Sequence, residues 1–196
     1  LNWGQMHVAI KPRHETELKA WREELDRDYG YASPRWLDRD QVRAVLATDR
    51  YIGGLLDPRS GHLHPLNYTL GLARAAEAAG VRIFEGSQVV RLDYGDTVTI
   101  ATDSGTVRAK HVALCCNAYV DDLSPRLRAR IMPVGTYIVA TESLGPARMQ
   151  ALMRENVAVT DVNWVLDYFR RSADHRLLFG GRVSYSGLDP LNTARA

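Results

Sequence analysis

Apolar and polar residues alternate along the chain with periods that predict both helices and strands. Apolar residues recur at helical spacing over residues 14–29 and again over residues 65–79. In the first of these helices, Leu18, Trp21 and Leu25 are spaced for one buried face. Helices and strands that follow one another in this way are typical of α/β proteins.

The ends of the predicted helices carry recognisable signals. Asp38 suits the N-cap of a short helix, and Pro65 suits the first turn of the central helix, where its missing N–H costs nothing. Gly30 and Gly80 suit the left-handed position that ends a helix. These signals fix the predicted helix boundaries more closely than periodicity does.

The region after the central helix predicts two kinds of strand. A strand is expected over residues 81–84, and alternating residues predict three more over 88–92, 97–101 and 106–109, joined by turns. Residues 111–116 are continuously apolar, which is typical of a strand covered on both faces of a parallel sheet. Ligands of such sheets bind at the carboxyl ends of the strands.

The last third of the chain predicts more strands around one helix, with residues 163–171 and 176–184 as a hairpin. The predicted fold class is therefore α/β, of the mixed α+β kind. A partial α/β domain, residues 58–124, is inserted in a mixed-sheet domain formed by residues 1–57 and 125–196.

Composition removes several classes of function. The 196 residues carry a net charge of +2, and 45% of them are hydrophobic, as in an ordinary globular protein. We expect neither nucleic acid nor a membrane as a partner, because the chain has no basic excess and no long apolar run. The adjacent Cys115 and Cys116 are expected to be reduced and buried in a cytoplasmic protein. The opening residue, Leu1, indicates a piece of a longer polypeptide.

Two histidines stand at the start of the central helix. His62 and His64 would share a face of an extended segment, with Asp57 close by, and this spacing could bind zinc. No third ligand stands in a convincing register, so the prediction is that no metal binds. A zinc hydrolase stays as a minor alternative, which metal analysis would test.

The predicted hairpin carries two further candidates. Tyr168 and Arg170 would share one face of a strand, where an inward arginine could clamp a carboxylate; an ion pair on a solvated face explains the spacing equally well. Gly180, Gly181 and Arg182 indicate either a close approach of the backbone to a flat ligand or a β-bulge. The residues alone leave both alternatives open.

Eight short motifs together resemble the D-amino-acid-oxidase-type family of FAD-dependent oxidoreductases. Within that family, they are most similar to the gamma-glutamylputrescine oxidase branch. In chain order they are Gly53–Leu55, Gly61–Pro65, Gly71–Ala76, Phe84–Ser87, Cys116–Tyr119, Pro133–Tyr137, Asp167–Arg170 and Leu177–Arg182.

The resemblance implies an FAD-binding α/β domain interleaved with a mixed-sheet substrate domain. It places Val89, Cys116, Asn117 and Ala118 near the adenosine end of FAD, with Asn117 where the family often has glycine. It also implies a set of residues on the substrate side: His62, His64, Tyr168, Arg170, Gly181 and Arg182. The implied reaction is flavin-mediated oxidation of a C–N bond of a small amine or amino acid to an imine.

One departure from the family shapes the expectation for this chain. The family begins with a G-x-G-x-x-G turn at the FAD pyrophosphate, and this sequence has none. We therefore expect the central portion of a longer enzyme, which alone binds no FAD and is inactive, and which self-associates through the sheet edge beside residues 112–116. The alternative is a flavin-free binding or assembly subunit on the same scaffold.

Overall fold

The structure, a computed structural model, describes residues 1–184, with the side chain of Asp121 excepted. Its strands are β1 (Asn2–Ala9), β2 (Arg35–Asp38), β3 (Gly53–His62), β4 (Val89–Asp93), β5 (Val98–Thr102), β6 (Thr106–Ala109), β7 (Gly135–Ala140), β8 (Ala158–Asp161), β9 (Tyr168–Arg171) and β10 (Leu177–Ser184). Its α-helices are α1 (Pro12–Tyr29), α2 (Arg39–Val45), α3 (Pro65–Ala78), α4 (Pro125–Arg128) and α5 (Gly145–Leu152).

The described chain divides into two compact units. The first unit comprises residues 1–65 and 136–184, and the second comprises residues 66–135. A seven-stranded sheet in the order β2-β3-β1-β8-β9-β10-β7 forms the first unit. Strand β1 runs parallel to β8 and antiparallel to β3, which confirms the predicted mixed sheet. The predicted hairpin is also confirmed, since β9 and β10 pair antiparallel.

One face of the large sheet is packed by helices α2 and α5. Met6 and Val159 are opposite one another on β1 and β8, and both are buried against a cluster that includes Val42 and Met153. Each such side chain contributes about 1.5–3 kcal/mol when it leaves water. Helix α2 starts where it does because Asp38 accepts a hydrogen bond from the Gln41 N–H, while the Gln41 side chain accepts one from the Asp38 N–H.

Helix α1 packs on the other face of the same sheet. It begins at Pro12 and ends at Gly30, which has a left-handed φ of 61°, as the glycine signal predicts. Its Leu18 is buried with Leu55 of β3. The prediction that Trp21 is equally buried is wrong: its side chain is 40% exposed, because α1 covers only part of this face and Trp21 lies over a cavity.

The second unit contains α3, the antiparallel sheet β4-β5-β6 and a 3-10 helix, Asn117–Leu123. The predicted three-stranded meander is confirmed. Two predicted strands are wrong: residues 81–84 and 111–116 form no strand, because no described residue pairs with their backbone. The cysteines are also less buried than predicted, since Cys115 is exposed; both are free thiols.

Every helix within residues 1–184 is too short or too polar to span a membrane.

The capping interaction at α2 gives a first prediction. We expect Asp38→Ala to lower the free energy of unfolding by about 1 kcal/mol, because the Gln41 N–H loses its acceptor. Urea unfolding measures this change. The matched control is Asp49→Ala, which removes an exposed carboxylate outside any helix and should change the stability by less than about 0.5 kcal/mol. Equal losses in the two variants would contradict the capping role.

Candidate functional site

The half of the sheet that α1 leaves uncovered has a cavity of about 330 Å³. Strand register aligns its residues: Thr160 of β8 lies opposite Tyr168 of β9, which in turn lies opposite Gly180 of β10. Arg170 and Leu178 form the next pair on the same side of the sheet. Alternate residues of a strand point to the same side, so these side chains share one surface. We call it the open face; its residues are Gln5, Thr160, Tyr168, Arg170, Leu178 and Gly180.

Gly180 allows the Tyr168 ring to lie directly on strand β10. A Cβ atom added to Gly180 would lie 2.1 Å from Cε2 and 2.2 Å from Cζ of Tyr168, far inside van der Waals contact. The sequence indicated a close approach of the backbone to a flat ligand; in the structure the flat group against Gly180 is the ring of Tyr168. Gly181 is less restricted, since a Cβ there would lie 2.7 Å from Oδ1 of Asp167, the end of a side chain that can shift.

The two neighbouring arginines of β9 point to opposite faces. Arg171 is on the packed side, where its Nη1 donates to Gln150 Oε1 at 3.1 Å and to the Met153 carbonyl at 3.2 Å. Arg170 lines the open face and is half-buried. No ion pair of Arg170 is present among residues 1–184, which favours an arginine available to a ligand carboxylate over one already paired.

A short loop forms one wall of this cavity. Asp161, which is buried, accepts hydrogen bonds from the backbone N–H groups of Asn163 and Asp167 and from the Asn163 side chain. These bonds fix the chain between β8 and β9, where Leu166 reaches the cavity. Residues 163–167 were predicted as part of a strand; that prediction is wrong, because Asp161 holds them as a loop.

The two histidines occupy different environments. His62 is buried at the end of β3, with Nε2 3.3 Å from the Asn156 carbonyl oxygen, whereas His64 is exposed beyond the strand. Burial lowers the pKa of His62, and the positive charges of Arg170 and Arg171 act in the same direction. The expectation of a shared face is wrong. Within residues 1–184, no three His, Cys, Asp or Glu side chains are placed to hold a metal ion.

The remaining residue of the substrate-side set is at the end of β10. Arg182 has a φ of 64°, in the left-handed region, and it does not line the open-face cavity. A left-handed residue departs from the extended backbone of a strand, as in one class of β-bulge, although β10 continues to Ser184. Of the six substrate-side candidates, the structure brings Tyr168 and Arg170 together on the open face.

The second unit has its own cavity of about 510 Å³, with largely apolar walls. Val89 and Cys116 both line it, together with Leu114. Asn117 and Ala118 follow directly as the start of the 3-10 helix. Asn117 has a φ of 51°, a left-handed conformation that asparagine adopts more readily than other residues except glycine. This conformation accounts for asparagine at a position where glycine would also fit.

Sequence reasoning missed two polar residues of the open face. Gln5 Nε2 donates to Thr160 Oγ1 at 3.1 Å and joins β1 to β8 above the sheet. Each lies next to an apolar residue that faces the core, Met6 and Val159 respectively. The available signal was the alternation of polar and apolar residues in both strands. It indicates that one face of the sheet is not packed in the core.

Within residues 1–184, the large sheet keeps one open face on which Arg170 makes no ion pair, and the second unit has an apolar cavity of its own. The comparison with known families is more specific. The model of the FAD dependent oxidoreductases, called DAO, matches residues 2–196, and the chain belongs to this family.

Known relatives agree with this assignment. The chain is 38% identical over 193 residues to gamma-glutamylputrescine oxidoreductase of Escherichia coli, covering 98% of this chain and 45% of that protein. It is 39% identical over 186 residues to the probable oxidoreductase OrdL of Haemophilus influenzae, covering 92% of this chain and 43% of that protein. The chain thus spans less than half the length of these curated relatives.

Solved structures show the same fold. Glycine oxidase from Geobacillus kaustophilus matches with a TM-score of 0.75 at 19% identity, over 96% of this chain and 50% of that one. L-proline dehydrogenase from P. horikoshii matches with a TM-score of 0.76 at 14% identity, over 100% of this chain and 54% of that one. At these identities, the likeness establishes the architecture alone.

The contact between Gly180 and Tyr168 gives a second prediction. We expect Gly180→Ala to lower the free energy of unfolding by about 1–3 kcal/mol, because the new methyl group must displace the ring. In the Tyr168→Ala background the same substitution should cost much less, so a double-mutant cycle by urea unfolding measures the coupling. Gly105→Ala is the control, because a Cβ there is 3.9 Å from its nearest neighbour, Thr102 Oγ1. Additive effects would contradict the contact.

Proposed function

We propose that this chain is the central part of an FAD-dependent oxidoreductase that oxidises the C–N bond of a small amine or amino acid to an imine. The family is one of FAD-dependent oxidoreductases, and the named relatives include a gamma-glutamylputrescine oxidoreductase and a glycine oxidase. The observation that carries the proposal is the open face, where an arginine and a tyrosine lie side by side on a rigid sheet. The E. coli relative suggests a substrate that combines an amine with a carboxylate.

In this proposal, Arg170 binds and orients the substrate. Its guanidinium would hold a carboxylate through two parallel hydrogen bonds, which fix the direction of the attached carbon chain. The Tyr168 ring, lying on Gly180, forms a rigid floor, and Leu166 shields one side of the substrate from water. The protein's share of the reaction is therefore orientation and exclusion of water.

The cofactor would be held partly by the second unit. When bound, FAD would accept the hydride that the C–H bond next to the amine nitrogen loses, and the imine formed as the nitrogen gives up a proton would then be hydrolysed by water. We propose that Val89, Cys116, Asn117 and Ala118 lie against its adenosine end. The apolar cavity and the left-handed Asn117 fit such a group, because an aromatic base needs flat apolar walls and a close backbone. A cytoplasmic location and self-association stay predictions.

The role of Arg170 gives a third prediction. In the complete gene product, Arg170→Ala should raise KM for a carboxylate-bearing amine about tenfold to a hundredfold, the effect of losing a charged hydrogen-bonded pair, with a smaller change in kcat. KM for an amine without a carboxylate should stay within about twofold. Arg13→Ala, which removes an exposed arginine of α1, is the control. An unchanged KM for the carboxylate substrate would remove Arg170 from the site.

The backbone of Asn117 gives a fourth prediction, on the cofactor. We expect the purified complete gene product to carry about one FAD per chain. The absorption bands of the flavin measure this content. Asn117→Gly should retain FAD, whereas Asn117→Val should lose most of it, because a β-branched residue is strained at a φ of 51°. A folded, colourless product that takes up no added FAD would support the flavin-free binding subunit instead.

A further inference from the structure

A cavity of about 230 Å³ lies next to the open face, on the same side of the large sheet and beneath the end of helix α1. The residues at the base of this cavity are paired across two strands: Gln5 of β1 lies opposite Asp57 of β3, and His7 lies opposite Leu55. Trp21 of α1 and Tyr31, just after that helix, complete the walls. Cavities that enclose a whole drug-sized ligand are roughly 300–1,000 Å³, so this one suits a single end of a substrate.

Three aromatic side chains and one carboxylate surround this space. The rings of His7 and Trp21 meet edge to face, with their centroids 5.1 Å apart and their planes at 87°. Tyr31 donates its hydroxyl hydrogen to Asp57 Oδ2 at 2.8 Å, so ring and carboxylate are held together. Aromatic faces carry negative potential, and a box of such rings beside a carboxylate binds organic ammonium ions.

The charges of the cavity favour a cation. Burial acts to raise the pKa of Asp57, but hydrogen bonds from Ser33, the Arg59 N–H and Tyr31 outweigh it and hold the pKa below its ordinary value. Burial lowers the pKa of His7 despite the nearby Asp57, which favours the uncharged form of this ring. No lysine or arginine is among the described residues that line the cavity.

A neighbouring cation shows that one of these rings already takes part in such an interaction. The guanidinium carbon of Arg59 lies 5.7 Å from the centroid of the Tyr31 ring. Arg59 is exposed and does not line the cavity, so it leaves the enclosed space free. The enclosed side of the box therefore presents the Trp21 and His7 rings and the negative charge of Asp57.

We propose that this cavity is a subsite for an alkylammonium group, namely a second, non-reacting ammonium group of the amine substrate. Gln5 lines both this cavity and the open face, and its bond to Thr160 forms the wall between them. A substrate that carries a carboxylate and a second ammonium group besides the reacting amine would therefore lie along the same sheet, with its carboxylate at Arg170 and this ammonium group in the smaller cavity. The link to catalysis rests on the proposed amine oxidoreductase function; the binding of the ammonium group does not.

The test is equilibrium binding of n-butylammonium chloride to the complete gene product, measured by calorimetry and by tryptophan fluorescence. We expect binding of butylammonium and at least about tenfold weaker binding of n-butanol, its uncharged analogue. Asp57→Asn should weaken butylammonium binding at least tenfold, because it removes the charge and keeps the size of the side chain. Trp21→Leu should weaken binding severalfold and abolish the fluorescence change.

A matched tryptophan control is available in the same unit. Trp164→Leu removes a side chain that is 96% exposed and lies outside the cavity, so binding and the fluorescence change should both persist. Because Trp21 is itself 40% exposed, its replacement should leave the fold intact, which circular dichroism checks. Asp57→Asn and Trp21→Leu thus test the charge and the ring separately.

The outcomes separate this proposal from the proposed function. Equal affinity for butylammonium and butanol, or unchanged butylammonium affinity in both cavity variants, would overturn the subsite. If butylammonium binds as expected while the complete product takes up no FAD, the subsite stands and the oxidoreductase function fails. If FAD is bound and Arg170→Ala raises KM while the cavity variants have no effect on binding, the function stands and the subsite fails.

Discussion

The parallel pairing of β1 with β8 is the interaction on which the first unit depends. It joins two stretches of chain whose paired side chains, Gln5 and Thr160, are 155 positions apart in sequence. On one side of these two paired strands, Met6 and Val159 are buried in the core; on the other side, the Gln5 side chain donates a hydrogen bond to Thr160. The entropy cost of closing a loop grows only slowly with its length. The buried pairing of β1 with β8 therefore offsets the cost of closing this long loop.

The pairing of β1 with β8 also explains why one sheet has a packed side and an open side. Alternate residues of each strand face opposite sides, so helices α2 and α5 pack one side while the other keeps its polar groups. Arg170 and Arg171 illustrate the division, because one lines a cavity and the other bonds to Gln150 and Met153 on the packed side. Helix α1 covers only part of the polar side, and so leaves two cavities separated by Gln5.

Local signals in the sequence predicted local structure well. The end of α1 at Gly30, the cap at Asp38 and the β9–β10 hairpin are determined by residues a few positions apart. Strands expected over 81–84 and 111–116 are absent from the described chain because a strand needs a distant partner, which periodicity does not reveal. For the same reason, the pairing of Tyr168 and Arg170 on one face was predictable, but not the ring contact with Gly180 or the role of Gln5.

The long separation of β1 from β8 has a consequence for synthesis on the ribosome. At about 5–20 residues per second, β8 emerges roughly 8–30 s after β1. During that interval, β1 can pair with β3, but its second edge has no partner and Met6 lacks part of its apolar cover. The nascent chain therefore exposes an unpaired strand edge for many times longer than a local hairpin needs to form. A chaperone that covers this edge until β8 emerges would favour correct assembly.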